Sequence, residues 1–143
     1  MMQIDQRAGP DRCPIKTLMV IDDDSFDQLI CKRVTVKSGL VRDLLQYIDA
    51  EKALDYLSHP DSRTPDLILL DINMPKMNGF EFLEAVQERF GTDLCPIVVM
   101  LDTSLDPKGE KRANRFPMVQ GFMNKPLSKN DFQVFIGMLP DIC

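Results

Sequence analysis

Leu67-Ile68-Leu69-Leu70-Asp71-Ile72-Asn73-Met74-Pro75-Lys76-Met77-Asn78-Gly79 decides the fold. Four consecutive aliphatics, Leu67 to Leu70, read as a short strand buried on both faces, the pattern of a parallel strand between neighbours. The run ends in a carboxylate, Asp71, and passes into turn chemistry at Pro75, Asn78 and Gly79. Open α/β sheets place their ligands at the carboxyl ends of their strands. A lone Asp there serves as readily as a helix or turn cap. The weight of the reading therefore rests on what the other strands bring to the same edge.

Upstream, Leu18-Met19-Val20-Ile21 is a second continuous apolar run, and it stops at Asp22-Asp23-Asp24. Ser25 is placed to cap the helix that follows. Phe26, Leu29, Ile30 and Val34 recur on one face at helical period, and Gly39 closes the segment. Leu44 to Ile48 reads as a weaker strand, Asp49 as a cap, and Ala50, Ala53, Leu54 and Leu57 as a helical stripe ending near Pro60. Downstream, a helix from about Phe80 to Phe90 presents Phe82, Leu83, Val86 and Phe90 to the core. Pro96 to Leu101 is another buried strand, closed by Asp102-Thr103-Ser104. Asp106-Pro107 starts a helix with little apolar surface, expected to be loosely held. Val119 to Asn124 is the last strand and runs into Lys125-Pro126. Ser128 to Asp131 resembles a capping box ahead of a final stripe of Phe132, Phe135, Ile136 and Leu139.

Strand and helix thus alternate five times. Short connections and right-handed crossovers predict an α/β fold, a five-stranded parallel sheet of flavodoxin-like order 2-1-3-4-5 with helices on both faces. The expected boundaries are a flexible tail over residues 1–16 and one domain over 17–140. The ends of the first and third strands meet at the topological switch point, bringing Asp22, Asp23 and Asp71 into one crevice. The ends of strands four and five add Asp102, Thr103 and Lys125.

Composition narrows the chemistry. At 143 residues, 44% hydrophobic and 27% charged, the chain suits one soluble domain. A net charge of −5 argues against nucleic acid as the main partner. No apolar run approaches the roughly 20 residues of a membrane span, and the start has no signal-peptide core. Cys13, Cys31, Cys95 and Cys143 form no CxxC pair, which disfavours zinc and suits free thiols in a cytoplasmic setting. His59, the one histidine, precedes Pro60 in a turn-like segment and reads as surface structure.

Crowded carboxylates repel, so one must protonate or a cation must enter. An all-oxygen set suits a hard ion such as Mg²⁺, which takes one or two carboxylates and keeps waters or phosphate oxygens. With a lysine opposite, the set fits phosphoryl transfer, in which an Asp acts as nucleophile and carries the phosphoryl group. Neither GxxxxGK[ST] nor GxGxxG is present, so the expected donor arrives on another protein.

Four separated motifs agree in type and order with a known family. They are Val20-Ile21-Asp22-Asp23-Asp24, the Asp71…Met74-Pro75…Gly79 block, the hydroxyl-bearing end of strand four, and Lys125-Pro126. From about Thr17 to Leu139 the chain resembles the receiver domain of two-component response regulators. The resemblance implies Asp71 as phosphoacceptor. Asp22, Asp23, Asp71 and the backbone carbonyl of Asn73 would hold Mg²⁺, and Lys125 would pair with the phosphoryl oxygens. It implies a cis Lys125-Pro126 bond, structural roles for Pro126, Met74 and Gly79, and a switch aromatic at Phe122. One position departs from the pattern. Relatives carry Thr or Ser at the end of strand four, whereas alignment through Met100-Leu101 puts Asp102 there, with Thr103 next. An ionised Asp cannot donate a hydrogen bond to a phosphoryl group and repels it. A slip that lets Thr103 serve would turn the side chain to the other face unless a bulge absorbs it.

The implied partners are a sensor histidine kinase or a histidine phosphotransfer protein, and a downstream protein target that the sequence does not name. A homodimer through the fourth helix, fifth strand and fifth helix is a further possibility, to which Val134 and Met138 would contribute. The chain ends soon after the last helix, so output by docking is expected rather than by an attached domain. A competing reading, motivated by Asp102, is a degenerate receiver that binds a protein independently of phosphorylation. A phosphohydrolase with an Asp nucleophile ranks well behind both, because no DxDx[TV] motif surrounds Asp71. Apart from its own phosphorylation and dephosphorylation, no enzymatic activity is expected.

Overall fold

A computed structural model describes residues 13–91, 97–103 and 106–139. The strands are β1 (Ile15–Ile21), β2 (Val41–Tyr47), β3 (Leu67–Asp71), β4 (Ile97–Asp102) and β5 (Val119–Asn124). Between and after them run α1 (Ser25–Ser38), α2 (Ala50–Ser58), α3 (Gly79–Phe90), α4 (Pro107–Ala113) and α5 (Lys129–Met138). All strand pairs are parallel, and the sheet order is β2-β1-β3-β4-β5, the flavodoxin-like order expected.

Period-two alternation divides the sheet between two cores. Met19, Ile21, Ile68, Leu70, Val98 and Met100 face α2, α3 and α4, packing on Leu54, Phe82 and Leu83. Leu18, Val20, Leu67, Leu69, Val99 and Leu101 face α1 and α5, packing on Cys31, Phe132 and Phe135. Every residue of β3 is buried, which is why it reads as an unbroken apolar run.

Several local expectations change. β1 begins at Ile15, so the last two residues of the expected tail lie in the sheet; residues 1–12 fall outside the described residues, as do Cys95, Ser104, residue 140 and Cys143. The α1 cap is Asp24 rather than Ser25, its carboxylate accepting from Phe26 N at 2.8 Å and Asp27 N at 3.1 Å. The α1 face differs in part from the expected stripe: Val34 packs on the core, but two of its residues do not. Phe26 is 66% and Leu29 43% exposed, while Gln28, Cys31 and Thr35 are buried against the sheet. The buried stripe is polar because Gln28 spends its amide on backbone. Its Nε2 lies 3.2 Å from Val20 O, 3.1 Å from Asp22 O and 2.9 Å from Tyr47 O. β2 ends at Tyr47, leaving Ile48 exposed in the turn. Asn78 caps α3 in a reciprocal box with Glu81, each side chain accepting from the other's amide at 2.9 Å. On α5, Val134 is half exposed, whereas Met138 packs against the core.

Candidate functional site

The carboxyl ends of the strands converge on an open cavity of about 540 Å³. β1 delivers Asp22 and Asp23, β3 ends in Asp71, β4 ends in Asp102, and β5 runs into Lys125. Asn73 and Thr103 also line the cavity. Asp22 is fully buried, Asp71 is 6% exposed and Asp102 5% exposed, while Asp23, Asn73 and Thr103 face solvent.

Lys125 is the hub of the charges. Its Nζ donates to Asp22 Oδ2 at 2.7 Å and to Asp27 Oδ2 at 3.0 Å, and it ion-pairs with Asp71 Oδ1 at 3.1 Å. Its backbone N–H donates to Asp102 O at 2.9 Å, fixing the start of the loop after β5, and the Lys125–Pro126 peptide bond is cis. The other oxygen of Asp22 accepts from Asp24 N at 2.9 Å. Burial, and then the charge of Asp22, push the Asp71 carboxyl up to about 6, with Lys125 acting in the opposite sense. Burial likewise raises Asp22 against the pull of Lys125. Burial works against the Lys125 ammonium, yet the hydrogen bonds to Asp22 and Asp27 outweigh it and raise its pKa. The two carboxylates most committed to the pocket thus resist ionisation while their lysine stays charged.

Asp22, Asp23 and Asp71 each offer an oxygen within 4.8 Å of the others, and they are the one such group among the described residues. Three converging carboxylates, two of them buried and raised in pKa, fit a hard divalent cation, which would relieve the repulsion that a single ammonium leaves.

The residues around this core are placed as follows. The loop from Asp71 to α3 is drawn tight by Gly79 N, which donates to Ile72 O at 2.9 Å. Met74 packs against the α2–α3 side of the core, and Pro126 is exposed. Phe122 is half-buried on β5; a Cβ on Gly109 of α4 would sit 3.5 Å from its ring. Asp102 occupies the last position of β4, opposite Asn124, and its carboxylate accepts from Thr103 N at 2.8 Å. Thr103 lies one residue beyond the strand. Cys31, on the buried face of α1, has its thiol pushed up to about 12, chiefly by burial. Asp27 was not legible as a site residue; its partner Lys125 lies 98 positions away, so no local pattern reveals the pair.

The family model for the response regulator receiver domain matches residues 18–136. This chain belongs to that family. The receiver superposes on a two-component response regulator from Cytophaga hutchinsonii with a TM-score of 0.80 at 26% identity, covering 86% of this chain and 95% of that one. Against the Mn²⁺-bound form of the response regulator Rcp1 the TM-score is 0.69 at 25% identity, covering 90% and 97%. In sequence it is 26% identical over 135 residues to hybrid signal transduction histidine kinase C of Dictyostelium discoideum. That match covers 91% of this chain but spans only 10% of that kinase. Among the described residues no helix is long and apolar enough to cross a membrane.

Proposed function

We propose that this receiver accepts a phosphoryl group on Asp71 from a phosphohistidine, carried by a sensor histidine kinase or a histidine phosphotransfer protein, and signals by protein contact. The observation that carries the reading is the placement of Asp71 at the end of a fully buried strand, 3.1 Å from the Lys125 ammonium and grouped with Asp22 and Asp23. An oxygen of the ionised Asp71 attacks phosphorus; the P–N bond breaks, and its electron pair leaves on the imidazole. Lys125 balances charge on the transferring oxygens. Asp22, Asp23, Asp71 and the carbonyl of Asn73 would hold Mg²⁺, which when bound supplies charge neutralisation at the phosphoryl oxygens. Asp71 is a stoichiometric acceptor, so the chain turns over no separate substrate. Intact mass after incubation with an acyl phosphate and Mg²⁺ tests this: one phosphoryl adduct on wild type and none on Asp71→Asn. An adduct that survives Asp71→Asn contradicts it.

The second reading, a receiver whose binding does not follow phosphorylation, is favoured by Asp102. By the family resemblance the end of β4 should carry a hydroxyl; Asp102 there is a buried carboxylate already engaged with the loop amide of Thr103. Under this reading wild type takes up no phosphoryl group, whereas Asp102→Thr does. A phosphorylated wild type that matches Asp102→Thr in rate removes the motive for it.

A further inference from the structure

Lys125 has one partner that the cation ligands and the phosphoacceptor do not account for. Asp27, in the first turn of α1, accepts from Nζ at 3.0 Å with 29% of its side chain exposed, against 0% for Asp22. Capping does not require it, since Asp24 already accepts from the first amides of α1. An acid in a first turn is favourable to the helix dipole, but that interaction would not aim the carboxylate across the pocket at Nζ.

The ammonium has three protons to donate. Two of its three carboxylate partners, Asp22 and Asp71, belong to the group whose oxygens converge for a cation. A cation and the lysine therefore draw on the same two carboxylates. With Asp22 and Asp71 alone as partners, Lys125 would either exclude the ion or, once displaced, lose its place in a pocket where its side chain is only 10% exposed. Asp27 offers a third position beside the other two, on a different element and nearer solvent.

We propose that Asp27 is a positioning residue for Lys125: it keeps the ammonium at the rim of the pocket while Asp22 and Asp71 turn their oxygens to a divalent cation. The inference rests on reading the pocket as a cation-dependent phosphoacceptor site. It explains how one lysine serves a site that also has to admit a metal, and it makes α1 part of the machinery that places the charge.

The test is a double-mutant cycle on Mg²⁺ affinity, measured by titration calorimetry on wild type, Asp27→Asn, Lys125→Gln and the double variant. Asn keeps the shape and an acceptor oxygen but not the charge. Asp27→Asn weakens Mg²⁺ binding about fivefold in wild type, the coupling usual within one ion-pair network, and less than about twofold once Lys125 is Gln. Equal weakening in both backgrounds reduces Asp27 to a distant charge and overturns the inference, as does no weakening in either. Absence of Mg²⁺ binding to wild type overturns the cation reading and this inference together; binding without coupling overturns the inference alone. Should Lys125→Gln fail to fold, the lysine ammonium is followed by ¹⁵N NMR in wild type and Asp27→Asn at saturating Mg²⁺. The signal then persists in wild type and is lost to solvent exchange in Asp27→Asn; equal persistence in both overturns the proposal.

Discussion

A Cβ placed on Gly79 would stand 2.7 Å from the carbonyl oxygen of Asp71 and 3.1 Å from the Cα of Ile72. The first residue of α3 thus presses directly on the backbone that carries the acceptor carboxylate, and only hydrogen fits between them. Both neighbours are backbone, so neither yields by a change of rotamer. Gly79→Ala should destabilise the fold by about 2–3 kcal/mol, the upper range for overpacking a tight contact. Urea midpoints at constant slope measure it. The same variant should bind Mg²⁺ more weakly, because the strain is relieved by moving the loop that holds Asn73.

The raised carboxyl of Asp71 makes stability depend on pH in a definite direction. Its pKa goes from 3.8 to about 6 on folding, so the unfolded chain releases this proton first. The stability linked to this group is full below 3.8 and is lost as pH rises through about 6. Asp71→Asn removes the buried charge while Lys125 keeps Asp22 and Asp27. In the absence of divalent cations, the variant should therefore unfold at higher denaturant than wild type at pH 7.5. The gap should narrow as pH falls below about 6. Added Mg²⁺ should reverse the order at pH 7.5, because an ion that binds only the native state stabilises wild type by mass action.

Gln28 holds the acidic loop from behind. Its amide nitrogen reaches carbonyls of Val20, Asp22 and Tyr47, and Gln46 in turn donates to Gln28 O and Oε1, each at 2.8 Å. Gln28→Met preserves volume but withdraws the donor from buried acceptors, at a cost of about 1–3 kcal/mol. Thermal unfolding of the variant should show the loss. Its Mg²⁺ affinity should also fall, since Asp22 O is one of the three carbonyls.

How far the sequence carries the reader differs from element to element. β3 and the Leu18–Ile21 part of β1 are legible because burial on both faces leaves a run of apolar residues, and Asp71, at the end of β3, and Asp22, just after β1, meet in the cavity. The face of α1 is not. Hydrophobic period points to Phe26 and Leu29, yet a buried amide at Gln28, the thiol of Cys31 and the hydroxyl of Thr35 line the sheet side. Thr35 is satisfied within its own helix, donating to Cys31 O at 2.6 Å. Polar residues whose hydrogen bonds go mostly to backbone carry no apolar signal. Asn78 carries a local cue: with Glu81 three positions on, it is a capping-box signature as well as a turn residue. Asp27 lies beyond any such cue, because what defines it is a lysine brought from the far end of the chain by the sheet order.

That Asp71 carries the phosphoryl group is tested most directly by locating it chemically. Wild-type protein is incubated with an acyl phosphate and Mg²⁺ and then treated with borohydride, which reduces an aspartyl phosphate to homoserine. The chain is digested, and the converted position is read by peptide mass spectrometry. Homoserine at position 71, and at no other carboxylate of the pocket, is the predicted result. Conversion at Asp22, Asp23 or Asp102 in its place, or no conversion in protein shown to bind Mg²⁺, would contradict it.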